Sequence, residues 1–170
     1  MNRPHYILRP VSPLFIATSL AVAFLLNLLP WGHWIGAPDF VALVLVFWGI
    51  HQPRKVGIGL AFFMGLLMDV HEATLLGENA LAYTLLSYLA IMIHRRVLWF
   101  SVPTQAAHVF PLLLLTQAIQ MLVRFIATQR FPGWLPFIES VVSIMLWPVV
   151  TWLLLAPQRR AVDRDHTRPI

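Results

Sequence analysis

Seven acidic side chains and seven histidines are the raw material for catalysis in this 170-residue chain, and few stand at a catalytic spacing. His71-Glu72 opens an H-E-x-x-H zinc pattern, but position 75 is leucine, so the second imidazole of the ligand pair is absent. There is no G-x-S-x-G elbow and no Walker lysine loop. With no cysteine, disulfides, thiolate metal sites and thiol nucleophiles are excluded. Asp39 and Asp69 could supply a carboxylate dyad for acid–base work, yet nothing else in the sequence provides water and substrate access for it. His108 alone lies inside an apolar run, where a buried neutral imidazole is the expectation. These residues point away from an enzyme and call for no cofactor or metal.

Other polar and small residues sit where lipid or core would exclude them. Gly57, Ala61 and Gly65 repeat every four residues, and the next step on that stripe is Asp69. Small residues at this spacing let two helix backbones approach, so the stripe is expected to face a helix carrying Ala80, Thr84 and Ser87. Gln117, Gln120 and Arg124 share one helical face, with Thr116 beside them; Glu139, Ser143 and Trp147 share another. Arg124 is expected to pair with Asp69 or Glu139, because an unpaired guanidinium within a membrane is costly. Pro148 falls inside its run and removes the bond to the carbonyl of Ile144. The helix-packing and interaction candidates are therefore Asp39, Gly57, Ala61, Gly65, Asp69, Arg124 and Glu139.

The elements that must position these residues follow from composition. Hydrophobic residues make up 59% of the chain and charged residues only 11%, against about 25% charged in a soluble domain. Too little polar surface exists to cover a water-soluble globule, and disorder needs the opposite balance. Six apolar runs cover about 11–30, 39–51, 56–70, 79–93, 103–127 and 137–156. The first, fifth and sixth reach the roughly 20 residues that a full crossing takes. The middle three are shorter. A re-entrant hairpin of the second and third runs would leave Arg54 and Lys55 near the bilayer centre, at about 2.5–3.5 kcal/mol per charge. Full crossing with local thinning costs less. The expectation is an all-α membrane protein with six transmembrane helices in one domain, residues 1–157, and a basic cytoplasmic tail, 158–170.

The net charge of +5 does not indicate nucleic acid, because the cations form short clusters between apolar runs rather than a folded basic surface. Arg3, Arg9, Arg54, Lys55, Arg95, Arg96, Arg159, Arg160, Arg164 and Arg168 all fall on one side of a six-span topology. The positive-inside rule then puts both termini in the cytoplasm. The triplet Ala21-Val22-Ala23 lies within the first apolar run rather than after it, so that run reads as a retained helix, not a cleaved signal. The tail reads as a topogenic cluster with some attraction to anionic membrane lipids.

The stretch from Pro38 to Tyr88 carries a resemblance. It reads P-D-F-V-A-L-V-L-V-F-W, then Q-P-R-K-V-G-I-G-L-A-F-F-M-G-L-L-M-D-V, then L-G-E-N-A-L-A-Y-T-L-L-S-Y. Order and spacing resemble the MreD family of bacterial rod shape-determining proteins, whose G-x-x-x-G-x-x-x-D pattern is approximated here by Ala61, Gly65 and Asp69. Pro30-Trp31 and Leu146-Trp147-Pro148 also fit, and the resemblance covers nearly the whole chain.

The resemblance implies a multi-pass protein of the bacterial inner membrane with a fold similar to the substrate-binding subunits of energy-coupling-factor transporters. It implies a non-enzymatic scaffold of the elongation machinery that binds MreC. The wider complex holds MreB, RodA, a class B penicillin-binding transpeptidase and RodZ. Outer-half acids and amides also keep open a small-molecule-binding subunit of a transporter, and, behind it, an enzyme acting on lipid-linked precursors.

Overall fold

A computed structural model describes residues 11–30, 36–131 and 133–158. Arg3, Arg9, Trp31 and the tail arginines Arg159, Arg160, Arg164 and Arg168 lie outside the described residues.

Among the described residues the chain forms six α-helices: α1 (Pro13–Asn27), α2 (Phe40–His51), α3 (Ile58–Glu72), α4 (Glu78–Val97), α5 (Val102–Thr128) and α6 (Pro136–Leu155), followed by one 3₁₀ turn. Each coincides with an apolar run, and local chemistry sets the limits. Ser12 caps α1, its hydroxyl accepting from the Phe15 amide at 3.2 Å, and Pro13 follows where a missing N–H costs nothing. Asp39 caps α2 through the Ala42 amide at 2.9 Å. Helix α3 closes on Ala73 and α5 on Gln129, both in the left-handed region. Pro111 and Pro148 lie inside α5 and α6, and both helices run on through them.

Among the described residues two helices are long and apolar enough to cross a membrane, Val102–Thr128 and Pro136–Gln158, the latter counting the 3₁₀ turn. The first apolar run was expected to be of crossing length, but its helix has only 15 residues. Helix α2, with 12 residues, is about 18 Å long, well short of the roughly 30 Å hydrocarbon layer. Its length has a simple reason: every residue from Val41 to Ile50 is buried against protein. A helix apolar on all faces belongs in an interior, and one wrapped by neighbours need not match the lipid.

Helix α2 packs between α1, α4 and α6, and α4 also packs on α3 and α5. The core draws on all six helices, with Trp48, Phe47, Trp147 and Tyr83 its largest buried side chains. Trp48 donates its indole N–H to Ser19 Oγ at 2.8 Å, tying α2 to α1. Side-chain bonds between helices gather the C-terminal parts of α1, α3 and α5 and the N-terminal parts of α2, α4 and α6 at one end of the bundle. At the other end stand the α2–α3 turn with Arg54 and Lys55, where the Lys55 ammonium donates to the Val11 carbonyl, and the last turn of α4 with Arg95 and Arg96.

Candidate functional site: a polar end of the bundle

Helix ends leave backbone N–H groups without partners, and the sequence answers this at α4 from a distance. Residue Gly77 precedes α4 with φ 104° and has no side chain to cap it. The buried Asp69 of α3 supplies the cap instead. Its Oδ2 accepts from the Gly77 amide at 2.8 Å and its Oδ1 from the Asn79 amide at 2.7 Å, with longer bonds from Ala80 N–H and Thr74 Oγ1 at 3.4 Å. A carboxylate here also faces the positive end of the α4 dipole.

This clasp rests on a close approach. A Cβ on Gly65 would sit 2.4 Å from the Ala80 Cα and 2.6 Å from the Asn79 carbonyl oxygen. Gly65 thus lets the α3 backbone touch α4, and Ala61 is buried on the same face. The stripe starts at Ala61: Gly57 is the exposed N-cap of α3, with open space where a Cβ would stand, and takes no part in the contact.

Asp39 performs the equivalent task at α2 and joins three further helices. Its Oδ1 accepts from Asn27 Nδ2 of α1 at 3.1 Å as well as from Ala42, and its Oδ2 accepts from the Tyr83 hydroxyl of α4 at 2.6 Å. Its own amide donates to Ser143 Oγ of α6 at 3.2 Å, and Asn27 Oδ1 accepts from the Phe40 amide. Asp39 and Asp69 therefore hold separate helix N-termini rather than forming an acid–base dyad.

Arg124 pairs with Glu78, not with Asp69 or Glu139. Its Nη2 and Nε lie 2.5 and 3.1 Å from Glu78 Oε1. The reason is the start of α4: Glu78 is its first residue and is buried, with a side chain 1% exposed, and so faces α5 rather than standing in a loop. Glu139 instead accepts from Gln117 Nε2 at 3.1 Å. Asn79 links Glu72 at 3.2 Å to Gln120 at 2.6 Å.

A cavity of about 260 Å³ opens among these groups. Asp39, Glu72, Asn79, Gln117, Gln120, Arg124 and Glu139 line it, with Asn27, Met68, Met121 and the 37–38 and 136 positions completing the wall. The sequence singles out Asp39, Arg124 and Glu139 as interaction candidates and sets Gln117 and Gln120 on one helical face with Arg124; the structure brings all five to this cavity. Sequence reasoning missed Asn27, Tyr83 and Asn79. The carboxamide of Asn27 near the close of an apolar run, and Asn79 just after a Gly-Glu helix start, were the available signals.

The profile of the family described as rod shape-determining protein MreD matches residues 8–156, a span that contains the whole polar end. The chain belongs to the MreD family. A rod shape-determining protein MreD of Haemophilus influenzae is 32% identical over 153 residues, covering 86% of this chain and 91% of that relative. No solved structure matches the chain. The MreD name ties the family to the determination of rod shape, and the helical, largely apolar structure fits a membrane protein. Within this MreD chain the G-x-x-x-D spacing from Gly65 to Asp69 has a physical meaning: Gly65 brings α4 close, and one turn later Asp69 caps it.

Proposed function

We propose that this chain is a non-enzymatic scaffold or regulatory subunit of the bacterial cell-elongation complex. It crosses the inner membrane six times with both termini in the cytoplasm, binds MreC, and supports lateral peptidoglycan synthesis and rod shape. MreB, RodA, a class B penicillin-binding transpeptidase and RodZ form the wider assembly, and the fold is kin to the substrate-binding subunits of energy-coupling-factor transporters. Membership of the MreD family supports the role.

The observation that carries the topology is the separation of charge between the two ends. Among the described residues, Asp39, Asp69, Glu72, Glu78 and Glu139 stand at one end together with Arg124 and Arg130, and Arg54, Lys55, Arg95 and Arg96 stand at the other with no acidic residue. Positive-inside bias assigns the second end to the cytoplasm. The short α2 fits this reading, because surrounding helices rather than lipid cover it.

The test has two parts. A reporter active only outside the cytosol is expected to be silent in the Arg54–Lys55 turn and active in the Leu75–Leu76 turn; the reverse pattern overturns the topology. Detergent extraction of the tagged chain is expected to bring MreC with it. Recovery of an ATPase module alone would favour the second reading, a small-molecule-binding membrane subunit, for which the lined cavity speaks.

A further inference from the structure

The two basic pairs at the far end of the bundle are not alike. The Lys55 ammonium donates to the Val11 carbonyl. Arg95 and Arg96, in the last turn of α4, make no ion pair and no side-chain hydrogen bond among the described residues. The nearby carbonyls of His94, Arg96 and Val97 already accept from the amides of Leu98, Trp99 and Phe100. Both guanidiniums line an open recess of about 540 Å³, whose other walls are Trp99, Phe100 and His108. Trp99 is 90% exposed, although an indole is largely apolar. His108 of α5 stacks on Phe100, with ring centroids 4.9 Å apart and 17° between the planes, and its Nδ1 donates to the Thr104 carbonyl at 2.9 Å. That wall is therefore held in place. Helix α5 also starts here without a side-chain cap, so the positive end of its dipole adds to the charge. No acidic residue stands at this end among the described residues.

We propose that this recess is a docking site for the phosphate headgroup of an anionic phospholipid such as phosphatidylglycerol. Two guanidinium forks with no competing carboxylate match phosphate oxygens in charge and in geometry. The aromatic walls select a lipid rather than a soluble phosphate. An indole with an apolar body and one N–H suits the boundary where acyl chains meet headgroups, and a free anion has no use for it. Basic recesses between helices at the cytoplasmic face are a recurrent way of holding anionic headgroups. A cluster that only orients the chain needs to reach water and needs no shaped wall; the Arg54–Lys55 turn is the comparison. The site goes beyond the scaffold reading but takes its leaflet, the cytoplasmic one, from the topology proposed above.

The full chain, purified in neutral detergent and stripped of lipid, is titrated with phosphatidylglycerol or phosphatidylcholine, and bound lipid is counted by native mass spectrometry. Phosphatidylglycerol is expected to bind at least about fivefold more tightly than phosphatidylcholine. Arg95→Gln with Arg96→Gln is expected to weaken phosphatidylglycerol by about tenfold or more, whereas Arg54→Gln with Lys55→Gln changes it by less than about twofold. His108→Arg adds a third guanidinium able to stack on Phe100 and is expected to tighten binding, a gain that misfolding cannot mimic. Equal affinity for the two lipids, equal loss from the two glutamine pairs, or no gain from His108→Arg overturns the proposal. Displacement of the lipid by glycerol phosphate at matching concentration shows a soluble-phosphate site and overturns it too. The detergent assay reads affinity whatever the leaflet. The topology reporter and co-extraction of MreC are scored separately, so failure of the lipid site and failure of the scaffold reading are distinguishable.

Discussion

Asp69, near the end of one helix, accepts a hydrogen bond at 2.7 Å from the backbone nitrogen of Asn79, near the start of the next. The same carboxylate takes the Gly77 amide, so one buried side chain closes the α3–α4 turn. Asp69→Ala leaves at least two of these amides without an acceptor. The expected loss is about 3 kcal/mol. Asp69→Asn, which keeps one oxygen, is expected to lose about half as much. Unfolding of the purified chain in mixed detergent micelles reads both. A wild-type midpoint for the alanine variant would show that the clasp contributes nothing.

Two glycines of α3 make opposite predictions. Gly65→Ala forces a methyl group into the Ala80 backbone, at 2.4 Å, and is expected to cost about 2 kcal/mol or to separate the helices. Gly59→Ala has open space around it and is expected to stabilise α3 by about 0.5–1 kcal/mol. The comparison of the two melting curves separates close packing from helix propensity.

Glu78 and Arg124 form a buried–exposed pair, with side chains 1% and 40% exposed. Removing the guanidinium by Arg124→Ala leaves a buried carboxylate alone, and about 3 kcal/mol of stability is expected to go with it. Arg124→Glu combined with Glu78→Arg is expected to recover part of the loss seen with either reversal. Arg124→Glu combined with Glu139→Arg is not. Equal rescue by both acids would dismiss the assignment.

Tyr83 donates its hydroxyl to Asp39 at 2.6 Å. Tyr83→Phe keeps the ring and removes that bond alone, for an expected loss of about 1–2 kcal/mol. Ser143→Ala removes the bond from the Asp39 amide, and the two losses are expected to be non-additive because both act on one residue. A double-mutant cycle measures the coupling.

Much of this architecture was readable beforehand, for physical reasons. The six helices show as apolar runs because Pro38, Pro53, Gly77 and the basic turns interrupt them sharply. Gly65 and Asp69 show as a stripe because helical period alone places them on one face. What stayed hidden depends on tertiary neighbours. Glu78 reads as a loop residue if α4 starts one position later, and that single step conceals the partner of Arg124. The role of Gly57 misleads for the converse reason: it obeys the spacing but precedes the first turn of α3. Tyr83 and Asn27 carry no pattern at all, since their meaning comes from Asp39, far away in sequence.

Helix α2 offers nothing to the outside from Val41 to Ile50. Any protein that recognises this chain laterally must therefore read the outward faces of the other five helices. Changes in α2 that alter cell shape would report on the integrity of the bundle, while suppressors that restore pairing with an altered partner should map elsewhere.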